Sequence, residues 1–158
     1  MPGILIMYYS ESGNTEKMAS FVKKGVDAED VEADLRKVGD VSAKDFLGYD
    51  GIIVGSPTYY GTMAADIKRL FDESVEFHSQ LEGKAGAAFS SSAHIGGGNE
   101  TTILDILHMM LIHGMVVQGD SKGDHYGPVS VRKPDNRVEQ ECVRLGKRTA
   151  RLVKKLLK

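Results

Sequence analysis

Cysteine is almost missing from this chain of 158 residues: Cys142 stands alone. A single thiol excludes a disulfide within the chain and fits a reducing compartment. No apolar stretch approaches the roughly 18 residues of a membrane-spanning helix, and Met1-Pro2-Gly3 lacks the basic start of a secretory signal. Secretion and membrane spanning are therefore not expected, and the protein is expected to be cytoplasmic. An excess of charge is missing too, with 20 Lys and Arg against 22 Asp and Glu and a pI near 6.2. That balance gives no reason to expect nucleic acid or a membrane as partner. Also absent are a Walker A loop, a G-x-G-x-x-G turn after the first strand, and any zinc-ligand spacing. Internal repeats and low-complexity linkers are absent as well. The length suits one domain over residues 1–158, able to bury about 70% of its unfolded surface.

What is present begins with residues 4–15. The run Ile4-Leu5-Ile6-Met7-Tyr8-Tyr9 is unbroken and apolar, as expected of a strand buried on both faces in a parallel sheet. It breaks into Ser10-Glu11-Ser12-Gly13-Asn14-Thr15 and a helical pattern follows. A hydroxyl-rich turn feeding a helix N-terminus collects unpaired N–H groups, the positive end of the helix dipole and side-chain donors. It reads as a phosphate cradle built from neutral donors, with Glu11 the one residue that opposes it. The alternative is an ordinary turn whose Ser and Thr act as caps.

Downstream, Met18, Phe21, Val22 and Val26 mark the inner stripe of a first helix, ended by Gly25 or the acidic turn after it. Residues 30–38 alternate and predict a half-exposed edge strand. Ser42 and Asp45 form a capping-box pattern ahead of Phe46 and Leu47. Residues 51–56 predict a second buried strand, followed by the aromatic loop 57–62 and a helix over 64–76. A small-residue strand over 85–89 leads into the Ser- and Gly-rich loop 90–98, with Asn99 as cap of the next helix. Met115-Val116-Val117 starts a fifth strand, residues 119–134 read as polar loop, and Val138, Cys142, Leu145, Thr149, Leu152 and Leu156 mark the inner stripe of a last helix.

Five alternations of strand and helix predict an α/β fold with a parallel sheet and right-handed crossovers. The three unusual loops all follow strand C-termini, where open α/β sheets bind ligands. One offers donors for a phosphate, one adjacent tyrosines, and one glycines and serines that admit close backbone approach. A flavin mononucleotide satisfies all three, and so does a purine nucleotide.

Four stretches carry a resemblance that separates these options. Residues 8–15 resemble the flavodoxin phosphate loop T/S-x-S/T-G-x-T. Residues 55–63 resemble G-S-P-T-R/Y-[FY]-G-x-M, the second flavin loop of the WrbA-type NAD(P)H:quinone oxidoreductases. Residues 89–102 resemble that family's F-S-S-T-x-x-G-G-G-x-E-x-T, with one extra residue around His94-Ile95. Residues 113–117 resemble its H-G-M-V-[IV]. The resemblance implies a flavodoxin-like doubly wound sheet of five strands in order 2-1-3-4-5, with FMN as cofactor. It implies that Ser10, Ser12, Gly13, Asn14 and Thr15 bind the phosphate. Pro57, Thr58, Tyr59, Tyr60 and Gly61 would line one side of the isoalloxazine, and Ser91, Ser92, Gly96, Gly97 and Gly98 the other. His113 aligns with a histidine beside the flavin, its one catalytic candidate; its other reading is a satisfied histidine at a helix end. The implied activity is an oxidoreductase that moves two electrons from NAD(P)H to a quinone or similar acceptor, as a homodimer or homotetramer. The alternative is a one-electron carrier that docks on redox partner proteins, a class whose members are usually strongly acidic. A flavin-free regulatory module is the third reading.

Overall fold

The computed structural model describes residues 1–158, arranged around one parallel sheet. Strand β1 (Gly3–Tyr8) lies between β2 (Glu32–Lys37) and β3 (Gly51–Pro57); β4 (Ala85–Ser92) follows on the far side of β3. The continuous apolar run in β1 resolves into two faces because successive side chains alternate. Leu5 and Met7 enter one core with Ile52 and Val54, whereas Ile4 and Ile6 enter the other with Ile53 and Phe89. Edge strand β2 pairs only with β1 and keeps its middle residues half-buried, as its alternation predicts.

The order β2-β1-β3-β4-β5 agrees with the expected 2-1-3-4-5, but the fifth position is filled in two pieces. Strand β5 (Val116–Val117) pairs with Ala85 and Gly86, and β6 (Val129–Val131) pairs with Ser90, Ser91 and Ser92. Residues 118–128 leave the sheet between them. The loop predicted over 119–134 thus contains a strand, which the surrounding Gly, Asp and Lys residues concealed. The same pairing carries β4 past its predicted end at Phe89. Flanked by β3 and β6, Ser90, Ser91 and Ser92 remain in the ladder as buried hydroxyls.

Helices α1 (Asn14–Asp27) and α4 (Asn136–Leu156) cover one face, and α2 (Ala65–Glu73) and α3 (Asn99–Ile112) the other. Of the two ends offered for α1, the acidic turn at Asp27 closes the helix and Gly25 sits inside it. A Cβ there would run into the Val143 carbonyl, and one on Gly146 into the Val22 carbonyl, so the two glycines let α1 and α4 cross at backbone contact. Asn99 is likewise not a cap: α3 starts from Gly98 in the left-handed region, φ 109°. The predicted box at Ser42 is present, its N–H donating to Asp45 Oδ2 at 2.8 Å, but it opens a 3₁₀ helix over Ala43–Gly48.

The 118–128 insertion is fastened to α4 by buried charge. Asp120 Oδ2 accepts from Arg144 Nε at 2.6 Å and from Arg148 Nη1 at 2.8 Å. Further along, Asp124 and Glu141 share Arg137. Burial first, and then the neighbouring Asp124 carboxylate, push the Glu141 carboxyl from its ordinary 4.5 up to about 7. A folded pKa raised above the unfolded value favours the protonated, folded form. This contribution is complete below about 4.5 and is lost as pH rises through about 7. Glu141→Gln is expected to remove that pH slope and to raise unfolding free energy near pH 8 by about 1–3 kcal/mol. Urea unfolding of both proteins near pH 5 and pH 8 checks it, and an unchanged slope in the variant overturns it.

Candidate functional site

The three unusual loops meet at the C-terminal rim of the sheet around a cavity of about 380 Å³. Its walls are Glu11, Ser12, Asn14 and Thr15 of the first loop, Pro57, Thr58 and Tyr59 of the second, and Ser91, Ser92 and Ala93 after β4. Hydrogen bonds make the walls one unit. Thr15 Oγ1 and Ser91 Oγ lie 2.9 Å apart in the buried floor. The Thr58 N–H donates to the Ser91 carbonyl at 2.7 Å, and the Thr58 and Ser90 hydroxyls meet at 3.1 Å.

The first loop is shaped for an anion. The first helical bond of α1 runs from the Lys17 N–H to the Gly13 carbonyl, 3.0 Å, which leaves the N–H groups of Asn14, Thr15 and Glu16 without partners in the helix. Gly13 takes the left-handed conformation, φ 92°, that turns the chain into the helix. Its N–H donates to Ser10 Oγ at 3.1 Å, so Ser10 supports the loop from behind and does not line the cavity. Glu11, the residue opposed to an anion, accepts from the Tyr59 hydroxyl at 3.2 Å. Burial first, then that bond, raise the Tyr59 pKa above the usual phenol value.

The second loop folds back at Tyr59 and Thr62, which exchange backbone hydrogen bonds of 2.8 and 3.2 Å. Between them Tyr60 (φ 49°) and Gly61 (φ 81°) both occupy the left-handed region, the pattern of a type I′ turn. Tyr60 projects fully into solvent, whereas Tyr59 is 39% exposed and packs edge-on against Tyr9 at 6.0 Å. The third loop abuts the second: a Cβ on Gly98 would lie 2.8 Å from Gly61 Cα, and Thr101 Oγ1 donates to the Gly61 carbonyl at 2.6 Å. Gly96 and Gly97 complete a tight turn in which the Gly97 N–H donates to the His94 carbonyl, 3.1 Å. Thus Ser12, Asn14, Thr15, Pro57, Thr58, Tyr59, Ser91 and Ser92 share the cavity, and Tyr60, Gly61, Gly96, Gly97 and Gly98 form the outer rim.

His113 is elsewhere: the structure does not bring it to this cavity. It follows α3, whose 14 residues carry the chain about 20 Å from the rim at Gly98. Its Nε2 lies 2.7 Å from Ser74 Oγ, and because that hydroxyl donates to the Phe71 carbonyl at 2.6 Å, Nε2 carries the proton. Nδ1 is buried without a partner. Burial and the neighbouring His78 hold its pKa below the usual histidine value. It stands at the helix end with only one of its two ring nitrogens paired. The physical reason is topological: a residue ahead of a parallel strand sits at the opposite edge from the strand's C-terminal rim. Cys142 is fully buried and burial pushes its thiol upward, so it is a core residue. No group of three potential metal ligands occurs.

Arg132 is the cavity residue that sequence reasoning missed. It leaves β6 with φ 62°, its N–H donating to the Ser92 carbonyl at 2.7 Å and its Nε to the Ala93 carbonyl at 3.2 Å. The available signal was the Val129-Ser130-Val131 triplet, whose alternation marks a strand ending at Arg132.

A family model described as flavodoxin matches residues 6–111. The chain is 39% identical to a flavodoxin of Aquifex aeolicus, over 97% of this chain and 88% of that protein. It is 30% identical to an NAD(P)H dehydrogenase (quinone) of Archaeoglobus fulgidus, over 99% of this chain and 100% of that protein. The structure of a WrbA-like flavodoxin from Agrobacterium tumefaciens superimposes with a TM-score of 0.80 at 24% identity, covering 98% of this chain and 99% of the other. The fold is the same. Within it, Gly98→Ala is expected to force the second and third loops apart, costing about 1–3 kcal/mol. Thermal unfolding measures the cost, and faster amide exchange confined to residues 58–62 and 96–101 checks its location. Unchanged exchange there overturns it.

Proposed function

The chain belongs to the flavodoxin family and binds FMN, and we propose that it passes two electrons from NAD(P)H to a quinone or similar acceptor. The carrying observation is the single hydrogen-bonded crevice in which a phosphate-shaped cradle and a tyrosine-walled slot are joined by Thr15, Ser91 and Thr58.

The residues present fit the group. Ser12, Asn14, Thr15 and the free N–H groups opening α1 would hold the phosphate through neutral donors. Arg132 would add the one guanidinium. Glu11 also lines the cavity, but its carboxylate is tied to the Tyr59 hydroxyl of the second loop, which leaves the N–H groups opening α1 to the phosphate. Tyr59 and the backbone of the second and third loops would flank the ring. Bound FMN supplies the redox chemistry, accepting a hydride and releasing the electron pair to an acceptor. The chain's residues position and orient. Thr15 and Ser91 set the floor, the Gly61–Gly98 contact holds two loops together as one wall, and the Tyr59 hydroxyl keeps its proton toward Glu11 Oε2. No side chain in the cavity is placed as a general base, and two-electron transfer through the cofactor requires none.

The full-length match to the Archaeoglobus quinone dehydrogenase supports the enzyme. A second reading, a one-electron carrier docking on redox proteins, is favoured by the higher identity to the Aquifex flavodoxin. Anaerobic mixing of the FMN-loaded protein with NADH or NADPH separates them. The enzyme is expected to lose its flavin absorbance rapidly and recover it on addition of a quinone. Bleaching that needs a separate reductase and halts after one electron assigns the carrier, and protein that takes up no FMN overturns both. Arg132→Ala is expected to weaken FMN binding about 10-fold or more while leaving riboflavin unaffected, because on this reading the guanidinium would meet the phosphate that riboflavin lacks. Fluorescence titration with the two flavins checks it.

A further inference from the structure

The near-neutral total charge conceals a segregation. Residues 142–158 hold seven Lys and Arg and no carboxylate, so the other 141 residues carry 13 cations against 22 carboxylates. Helical spacing puts the seven on the outer side of α4 from Arg144 onward, a stripe about 20 Å long. With residues 118–122 of the insertion as its opposite wall, this stripe bounds a groove of about 570 Å³ in which only one lining residue is hydrophobic.

The cations fall into two sets. Arg144 and Arg148 are bound by the buried Asp120, and Arg151 and Lys154 by Glu29 at 2.8 and 3.8 Å. Lys122, Lys147, Lys155 and Lys158 make no ion pair and line the same groove. The guanidinium forks suited to bidentate capture of carboxylates are therefore already occupied, and compact, hydrated ammonium charges face solvent. No aromatic residue lines the groove, which leaves nothing for a nucleobase to stack on. Beside the last lysines, Leu156 and Leu157 are 42% and 57% exposed.

From this arrangement we propose that α4 is a peripheral docking face for an anionic phospholipid bilayer. A sheet of phosphate headgroups rewards the number of unpaired lysines, without demanding a matched pattern of partners. Each such lysine adds a comparable increment, and clusters of four to eight basic residues suffice for reversible binding. Helical spacing turns Leu156 and Leu157 away from this stripe, so the contact is with headgroup charge alone. The acidic remainder of the molecule is repelled, which fixes the orientation with α4 toward the lipid. The stripe runs along α4 away from the rim, so docking leaves the crevice uncovered. The inference stands on charge placement alone and does not depend on which redox reaction the crevice supports.

The experiment is co-flotation of the full FMN-loaded chain with vesicles of phosphatidylcholine alone or with about 30% phosphatidylglycerol. Binding is expected only to the anionic vesicles, weakening steeply between low salt and about 0.5 M. The combined Lys147→Gln, Lys155→Gln and Lys158→Gln variant is expected to lower partitioning about 100-fold. Unaltered FMN uptake and thermal unfolding show that the variant is folded. Equal binding to both vesicle types, or full binding by the lysine variant, overturns the proposal. Tighter retention on duplex DNA or on polyglutamate than on the anionic vesicles does the same, and assigns the face to that polyanion.

Discussion

Strand β1 presents Leu5 and Met7 to the core beneath α2 and α3, and Ile4 and Ile6 to the core beneath α1 and α4. All four are fully buried, and each is worth about 1.5–3 kcal/mol relative to exposure. A strand buried on both faces cannot slip by one residue, because the slip would exchange every side chain between two differently shaped cores. That constraint fixes where β1 ends and where α1 begins. The N–H groups opening α1 therefore arrive at the rim in a set register with β3 and β4. The Thr15–Ser91 contact at 2.9 Å depends on this alignment. Shifting β1 by one position would remove the cradle from the slot while leaving both locally well formed.

The chemistry of the rim follows from what is kept out of it as much as from what is held there. Hydroxyls, an amide and backbone N–H groups dominate the walls. The one carboxylate, Glu11, is diverted by Tyr59, and the one guanidinium, Arg132, is supplied from a strand remote in sequence. Under the proposed reading, a cradle of neutral donors would grip a phosphate by directional hydrogen bonds and add little net charge near the cofactor's ring. Arg132 contributes the charge, held off by its own bonds to Ala93 and Ser92 backbone. On the proposed reading, affinity for the phosphate and the electrostatic setting of the ring would rest on different residues.

Legibility in the sequence followed the source of each signal. Buried strands β1 and β3, the edge strand β2 and the α4 stripe from Val138 to Thr149 were readable because burial imposes periodicity on neighbouring residues, whereas Leu156, expected on that stripe, is 42% exposed and Val153 is buried instead. Eight of the predicted binding residues proved to share the cavity because loops at strand ends inherit the topology of the strands. The acidic turn offered as one end of α1 does close it, whereas Gly25, the other end offered, is required by Val143 on another helix, and local sequence carries no trace of a crossing. Asn99 was misread as a cap because Gly98, in the left-handed region, already turns the chain. His113 was assigned by alignment to a resembling motif, whereas the length of α3 removes it to the far edge. Strand β6, and with it Arg132, was hidden by the polar insertion that splits the fifth strand position.

That insertion also explains how opposite charges coexist on a small molecule without cancelling. Residues 118–128 carry Asp120 into a nearly buried position where Arg144 and Arg148 neutralise it, and its N–H closes on the His125 carbonyl at 3.0 Å. The interior arginines are thereby consumed in holding the insertion down, and only lysines remain at the groove's mouth. Toward its other end the same insertion places Asp124 against Glu141, an arrangement that burial makes costly once both carboxyls ionise. Asp120 draws the insertion onto α4 by attraction, whereas Asp124 and Glu141 add repulsion as protons leave. The wall of the basic groove is therefore held most firmly when Glu141 is protonated. Acidic conditions both tighten this wall and reduce the negative charge on the rest of the surface.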